Sequence, residues 1–123
     1  MSLGFRTLAI IAAAICFALA AVWSFAPNLL LSLWGVQYTY PVGLVARRGA
    51  ALFMGIGVML FLARNAEPSV SRLALSQGLA VGCLALAVLG VMEFFTGHAG
   101  IGILSAVLVE VVLACALVVT ARK

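Results

Sequence analysis

Charge is scarce in this 123-residue chain: 8% of its residues are charged, 67% are hydrophobic, and the mean hydropathy is +1.33. A soluble domain carries roughly 25% charged and about 45–50% apolar residues. So few charges cannot clothe a globule in a water-compatible surface. A soluble enzyme, a disordered tail and a secreted disulfide scaffold are thereby excluded. Seven Lys/Arg against three Asp/Glu leave a net charge of +4, too few cations for a nucleic-acid patch. Cys16, Cys83 and Cys115 stand apart, without CxxC or Cys/His metal spacing, and His98 is the single histidine; neither pattern predicts a metal site. Gly-rich phosphate loops, HExxH, a nucleophile elbow and a haem-type histidine pair are all missing from the sequence, so no cofactor and no catalytic constellation is expected. The composition is that of an integral membrane protein.

What the chain does contain is four long apolar runs. About 20 apolar residues are needed to cross a hydrocarbon core of roughly 30 Å. The runs extend from about Leu3 to Phe25, Val42 to Leu62, Val70 to Phe95 and Gly100 to Ala121. None alternates with period two, which excludes a transmembrane β-barrel. Short connections after the second and third runs predict antiparallel neighbours in an up-down bundle of four transmembrane helices, a single domain over residues 1–123. The first run resembles a secretory signal, with Arg6 before an apolar core and Ala18-Leu19-Ala20 near its end. Its apolar core is too long for a typical signal, so the run is expected to be retained.

The first connection is more than a loop. Pro27 suits a first helical position, Leu29, Leu30, Leu31, Leu33 and Trp34 follow, and Gly35 suits a C-terminal cap. The pattern predicts a short interfacial helix over about Pro27 to Trp34. With the N-terminus cytoplasmic, Arg6, Arg64, Arg72, Arg122 and Lys123 lie inside, and Arg47 and Arg48 outside. That bias favours both termini in the cytoplasm, and Trp23, Trp34, Tyr38 and Tyr40 all fall at the outer boundary.

Small residues mark where lipid-embedded helices approach closely. Gly78 and Gly82 form a GxxxG continued by Gly90, Ala51 and Gly55 share that spacing, and so do Gly102 and Ala106. These are read as packing faces within the bundle, with a homo-oligomer seam as the alternative. Met54, Met59 and Met92 are read as core gap fillers, Gln77 as a hydrogen-bonding partner of a neighbouring helix, and the cysteines as small hydrophobes.

Ionisable side chains within a span are functional candidates by default. Here they are Arg47, Arg48, Glu93 and Glu110. Glu110 lies roughly 15 Å below Gly100 and shares a helical face with Gly102 and Ala106, which turns it toward the bundle interior. One reading pairs an arginine with Glu93 and the other with Glu110, because the planar guanidinium holds a carboxylate through two hydrogen bonds. A second reading makes a polar cavity, open outward, in which the arginines receive an anionic lipid phosphate or carboxylate. A third makes Glu110 a proton carrier. His98, in the turn Thr96-Gly97-His98-Ala99-Gly100, is expected to face the headgroups.

Arg48-Gly49-Ala50-Ala51-Leu52 followed by Gly55-Ile56-Gly57, the earlier Phe25-Ala26-Pro27 and Trp34-Gly35, and the later Leu108-Val109-Glu110 carry a resemblance. Together they resemble the small bacterial four-span proteins of the DUF4345 type, akin to the DoxX-like group, across nearly the whole chain. There an APxxLLxLLG segment precedes an RxxGxxxxxxG helix, and a glutamate punctuates the last helix. The doubled Arg47-Arg48 departs from the single arginine of that pattern. The resemblance implies a four-helix bundle with a polar Arg/Glu core, and implies no activity.

Three functions remain in contention. The first is a non-catalytic subunit of the bacterial inner membrane that binds a lipid, quinone or partner helix. Arg47, Arg48, Glu93 and Glu110 would line its outward-open site. The second is an oligomeric transporter or channel using Glu110, and the third is an enzyme acting on lipid or quinone. The expected partners are membrane lipids, an anionic lipid or quinone ligand, and a homo-oligomer or larger membrane complex. The topology is directly testable: a reporter active only outside the cytoplasm should be silent when fused at Lys123 and active when inserted at His98.

Overall fold

A computed structural model describes residues 4–121; Leu3, Arg122 and Lys123, which entered the span and charge readings, lie outside the described residues. Five helices follow one another: α1 (Phe5–Phe25), α2 (Pro27–Leu33), α3 (Tyr40–Leu62), α4 (Val70–Phe95) and α5 (Ile103–Ala121). No strand occurs among the described residues. Four of the helices, all but α2, are long and apolar enough to cross a membrane. By length and composition the chain is a multi-pass membrane protein.

The boundaries have local causes. Pro27 opens α2 at its first position, and Gly35, at φ +69°, turns the chain away from its end, a backbone conformation that glycine adopts without steric penalty. Helix α3 starts at Tyr40 rather than Val42, because the Thr39 hydroxyl accepts from the Val42 N–H at 3.4 Å and Pro41 occupies the first turn. The Ser69 hydroxyl caps α4 by accepting from the Arg72 N–H at 3.1 Å. Helix α5 starts at Ile103, later than Gly100, since the intervening residues are spent in the turn after α4.

Helix α1 packs chiefly on α3, and α4 on α5; α1 also touches α2 and α5. Small side chains make this possible. Ala9, Ala12, Ala13 and Ala20 are all buried on α1, so neighbouring backbones come close, as van der Waals packing in hydrocarbon requires. One core joins Leu8 of α1 to Ala80 and Cys83 of α4 and to Ala114 and Leu117 of α5. A second joins Ala12, Ala13 and Cys16 to Leu60 of α3. Both concentrate toward the end of the protein that holds Phe5, Leu62 and Thr120.

That end is also tied by arginines. The Arg72 guanidinium lies 4.3 Å from the centre of the Phe5 ring and donates to the carbonyls of Ala66 at 3.2 Å and Thr120 at 3.5 Å. Arg6 donates to Asn65 Oδ1 at 2.9 Å. Three helices and a connecting turn meet around these two side chains.

The glycines divide differently from their sequence pattern. Gly57 meets α1, where an added Cβ would lie 2.9 Å from the Phe17 ring, and Gly90 meets Val107 of α5 at 2.7 Å. Around Gly78, Gly82 and Gly55 there is open space. The GxxxG of α4 is therefore no packing face within the chain. The spacing puts two glycines on one face without saying which way that face points. Gln77 likewise is exposed with no hydrogen-bond partner among the described residues, and Met54, Met59 and Met92 are exposed instead of filling the core. Cys16 and Cys83 are buried as expected, while Cys115 is exposed.

Thermal unfolding in detergent separates the two kinds of glycine. Gly57→Leu is expected to lower stability by about 1–3 kcal/mol, the usual cost of overpacking. Gly82→Leu should leave the stability of the chain unchanged.

Candidate functional site

Away from the packed end, the helices leave a cavity of about 690 Å³, within the size range of small-molecule sites. All five helices contribute to its wall. Ile15, Leu19 and Trp23 come from α1, Leu30 and Leu31 from α2, Val42, Ala46, Gly49 and Phe53 from α3, and Leu86 from α4. Helix α5 supplies Ser105, Ala106, Val109 and Glu110, and Trp34 follows directly after α2. The wall is apolar and aromatic except for few groups. The Ser105 hydroxyl is engaged, donating to the Gly102 carbonyl at 2.7 Å.

Glu110 is the only ionisable residue of the wall. It is half-buried on the inward stripe of α5 that continues through Ala114 and Leu117. Its carboxyl has no hydrogen bond and no ion pair among the described residues. The expectation from Gly102 and Ala106 that Glu110 turns inward agrees with this placement.

The structure does not gather the other three candidates around it. Arg47 and Arg48 are exposed on the surface of α3, where they border a shallow depression formed by α3 residues alone. The Arg47 guanidinium reaches back along the helix to lie 5.7 Å from the centre of the Tyr40 ring. Side chains on a helix lean toward its N-terminus, and here that lean carries the charge toward the Tyr40 end, as in snorkelling. Glu93 pairs with His98 instead, Oε2 to Nδ1 at 3.1 Å, with side chains 50% and 72% exposed. Its own backbone carbonyl accepts from the N–H groups of His98 and Ala99, which folds the turn back on the end of α4. No arginine contacts either glutamate among the described residues, so the paired Arg/Glu arrangement is not what the chain adopts.

Sequence reasoning missed the contact that ties α2, whose Leu30 and Leu31 stand in the cavity wall, to the turn before α5. The Gly100 N–H donates to the Trp34 carbonyl at 2.6 Å. Gly102 lies against the Leu33 carbonyl oxygen so closely that no side chain fits, and Gly35 abuts the Gly100 backbone. The end of α2 is thus latched, backbone to backbone, onto the turn before α5. Trp34 packs on Trp23 with ring centres 5.3 Å apart. Its Nε1 is buried without a hydrogen-bond partner among the described residues, a state that costs about 1–3 kcal/mol. Gly35 and Gly102 were visible in the sequence as a cap and a packing residue. Nothing in their spacing says that they meet.

No family model matches the chain, and neither a curated protein nor a solved structure matches it. The resemblance to DUF4345-type proteins rests on the residues quoted for it.

The latch has a measurable signature. Gly102→Ala places a methyl group onto the Leu33 carbonyl and should displace α2, raising the quenching of tryptophan fluorescence by acrylamide. Ile101→Ala, at an exposed neighbouring position, should leave quenching unchanged.

Proposed function

We propose that this protein is a non-catalytic binding subunit that holds an amphipathic, lipid-soluble molecule, a lipid or a quinone, between its spans. On this reading the four long helices form an up-down bundle in a bacterial inner membrane, both termini cytoplasmic, and α2 lies in the outer interface over the cavity. The observation that carries the proposal is the cavity itself: an apolar, aromatic chamber with one reachable ionisable group, Glu110, at its wall. Binding sites of this kind combine apolar walls with few polar groups that fix orientation. Gly102 touches α2, and Glu110 lies eight residues further along α5, roughly 12 Å deeper. A ligand's apolar body would fill the space between.

Arg47 and Arg48 take a different role in this proposal. Both are exposed on α3, with Arg47 drawn toward Tyr40, and on this reading they meet the phosphates of anionic lipids around the bundle. Glu93 and His98 stabilise the turn after α4. The residues assigned from sequence to one site thus serve two, one inside the bundle and one on its rim.

A specific observation favours a second reading, an oligomeric transporter or channel. Gly78, Gly82 and Gly55 are open to their surroundings, and close helix approach between copies is what such residues allow.

Native mass spectrometry in mild detergent tests both. Binding predicts a small amphiphile retained by the unaltered chain and lost in Ala106→Phe, which projects a bulky ring into the cavity beside Glu110, at undiminished thermal stability. Retention by Ala106→Phe equal to that of the unaltered chain would overturn the proposal. The oligomer reading predicts a multimer that Gly82→Leu converts to monomer.

A further inference from the structure

The walls of the cavity say more about its occupant than that it is amphipathic. Resting on the binding function proposed above, and going beyond its lipid or quinone to a third class of ligand, we infer that the molecule held against Glu110 is a lipophilic organic cation, an ammonium or comparable onium group on an aromatic or aliphatic body, without a phosphate.

Three features lead to this chemistry. The first is charge. Glu110 is the single ionisable wall residue, and no protein cation is paired with it among the described residues. Away from water a carboxyl without a counter-charge takes up a proton, and a ligand cation is what would hold it ionised. An anionic group in the same chamber would face that carboxylate with no positive side chain to offset it. Arg47 and Arg48 are exposed on α3 and are not among the wall residues, although the depression they border shares Val45 and Gly49 with the cavity.

The second feature is aromatic. Trp23, Trp34 and Phe53 stand in the wall. Ring faces attract cations, most strongly once water is excluded, and recognition of quaternary ammonium groups uses such rings. Trp23 and Trp34 stand together at the α2 end of the chamber, roughly 12 Å from the depth of Glu110, so the rings receive the ligand's aromatic or aliphatic body while the carboxylate receives its charge.

The third feature is depth. Glu110 lies roughly 12 Å below the contact between Gly102 and α2. A zwitterionic phospholipid placing its ammonium there would drag its phosphate into the apolar chamber, away from Arg47 and Arg48. That arrangement strands an anion without a partner, at a desolvation cost that nothing in the wall offsets. An amine or onium ion lacking phosphate meets no such obstacle.

The experiment compares three probes in phosphatidylcholine nanodiscs, read through the fluorescence of the cavity tryptophans. Tetraphenylphosphonium and tetraphenylborate share size and shape and differ in the sign of charge; a decyl-substituted benzoquinone is neutral. With each probe's affinity expressed as its mole fraction in the nanodisc bilayer, the inference expects saturable binding of the phosphonium, at least about tenfold tighter than the borate. Glu110→Gln should weaken the phosphonium by a similar factor and leave the quinone unaffected, while Glu110→Asp retains the cation preference. An excess of short-chain phosphatidylethanolamine should not displace the phosphonium.

Equal binding of phosphonium and borate to the unaltered protein would overturn the inference without recourse to any variant. So would undiminished phosphonium binding by Glu110→Gln, or displacement by the phospholipid. Binding of the quinone without the phosphonium would defeat this inference and leave the general binding function standing. Failure of all three probes to bind would defeat both.

Discussion

The close approach of α1 to its neighbours is the contact on which the rest of the structure depends. Lipid tails are as apolar as leucine, so the spans gain little from hiding their side chains from one another. What holds them is intimate van der Waals contact, and α1 achieves it with a row of buried alanines. Because that row meets α3 along one side and the α4/α5 pair along another, α1 is the shared partner. The packing gathers in two cores, one holding Leu8 and Leu117 and the other Leu60, and Arg72 and Arg6 bind the same end. Toward the other end the contacts loosen, larger side chains line the gap, and the cavity results.

This geometry separates charges that the sequence placed in one group. A guanidinium and a carboxylate attract strongly in hydrocarbon, yet the pairing needs their helix faces to point at each other. On α3 the buried positions Gly43, Ala50 and Gly57 fall seven residues apart, a narrow seam that leaves Arg47 and Arg48 outside. Long flexible side chains can then reach polar surroundings by extension alone. Glu110 has a shorter side chain on an inward stripe, and stays with the cavity. The two kinds of charge answer to different surroundings, one at the rim and one in the interior.

Much of the architecture was legible in the amino acids because it depends on local causes. Length and apolarity marked the four spans, Pro27 and Gly35 bracketed α2, and the positions of Gly102 and Ala106 turned Glu110 inward. What escaped the reading depends on how helices rotate against one another. Gly78 and Gly82 have the spacing of a contact face and look outward, while Gly90, further along that stripe, and Gly57, two residues past Gly55, make the contacts. Glu93 found a partner five residues away in His98, a consequence of the turn geometry at Gly97, whose φ is +84°. The meeting of Leu33 and Trp34 with Gly100 and Gly102 joins segments far apart in the chain, and only the assembled fold brings them together.

On the binding function proposed above, the backbone latch between α2 and the α4–α5 turn has a consequence for how a guest would arrive. Leu30 and Leu31 of α2 stand in the cavity wall and the latch holds α2 there, so a guest entering between the helices would come sideways, out of the surrounding bilayer. A molecule using such a route reaches the protein by first dissolving in lipid. Occupancy is then governed by the guest's mole fraction in the membrane, and its concentration in water matters only through partitioning. Two guests with the same fit to the chamber would differ in apparent potency by the ratio of their solubilities in the bilayer, and diluting the membrane with added lipid would empty the chamber even at constant aqueous supply.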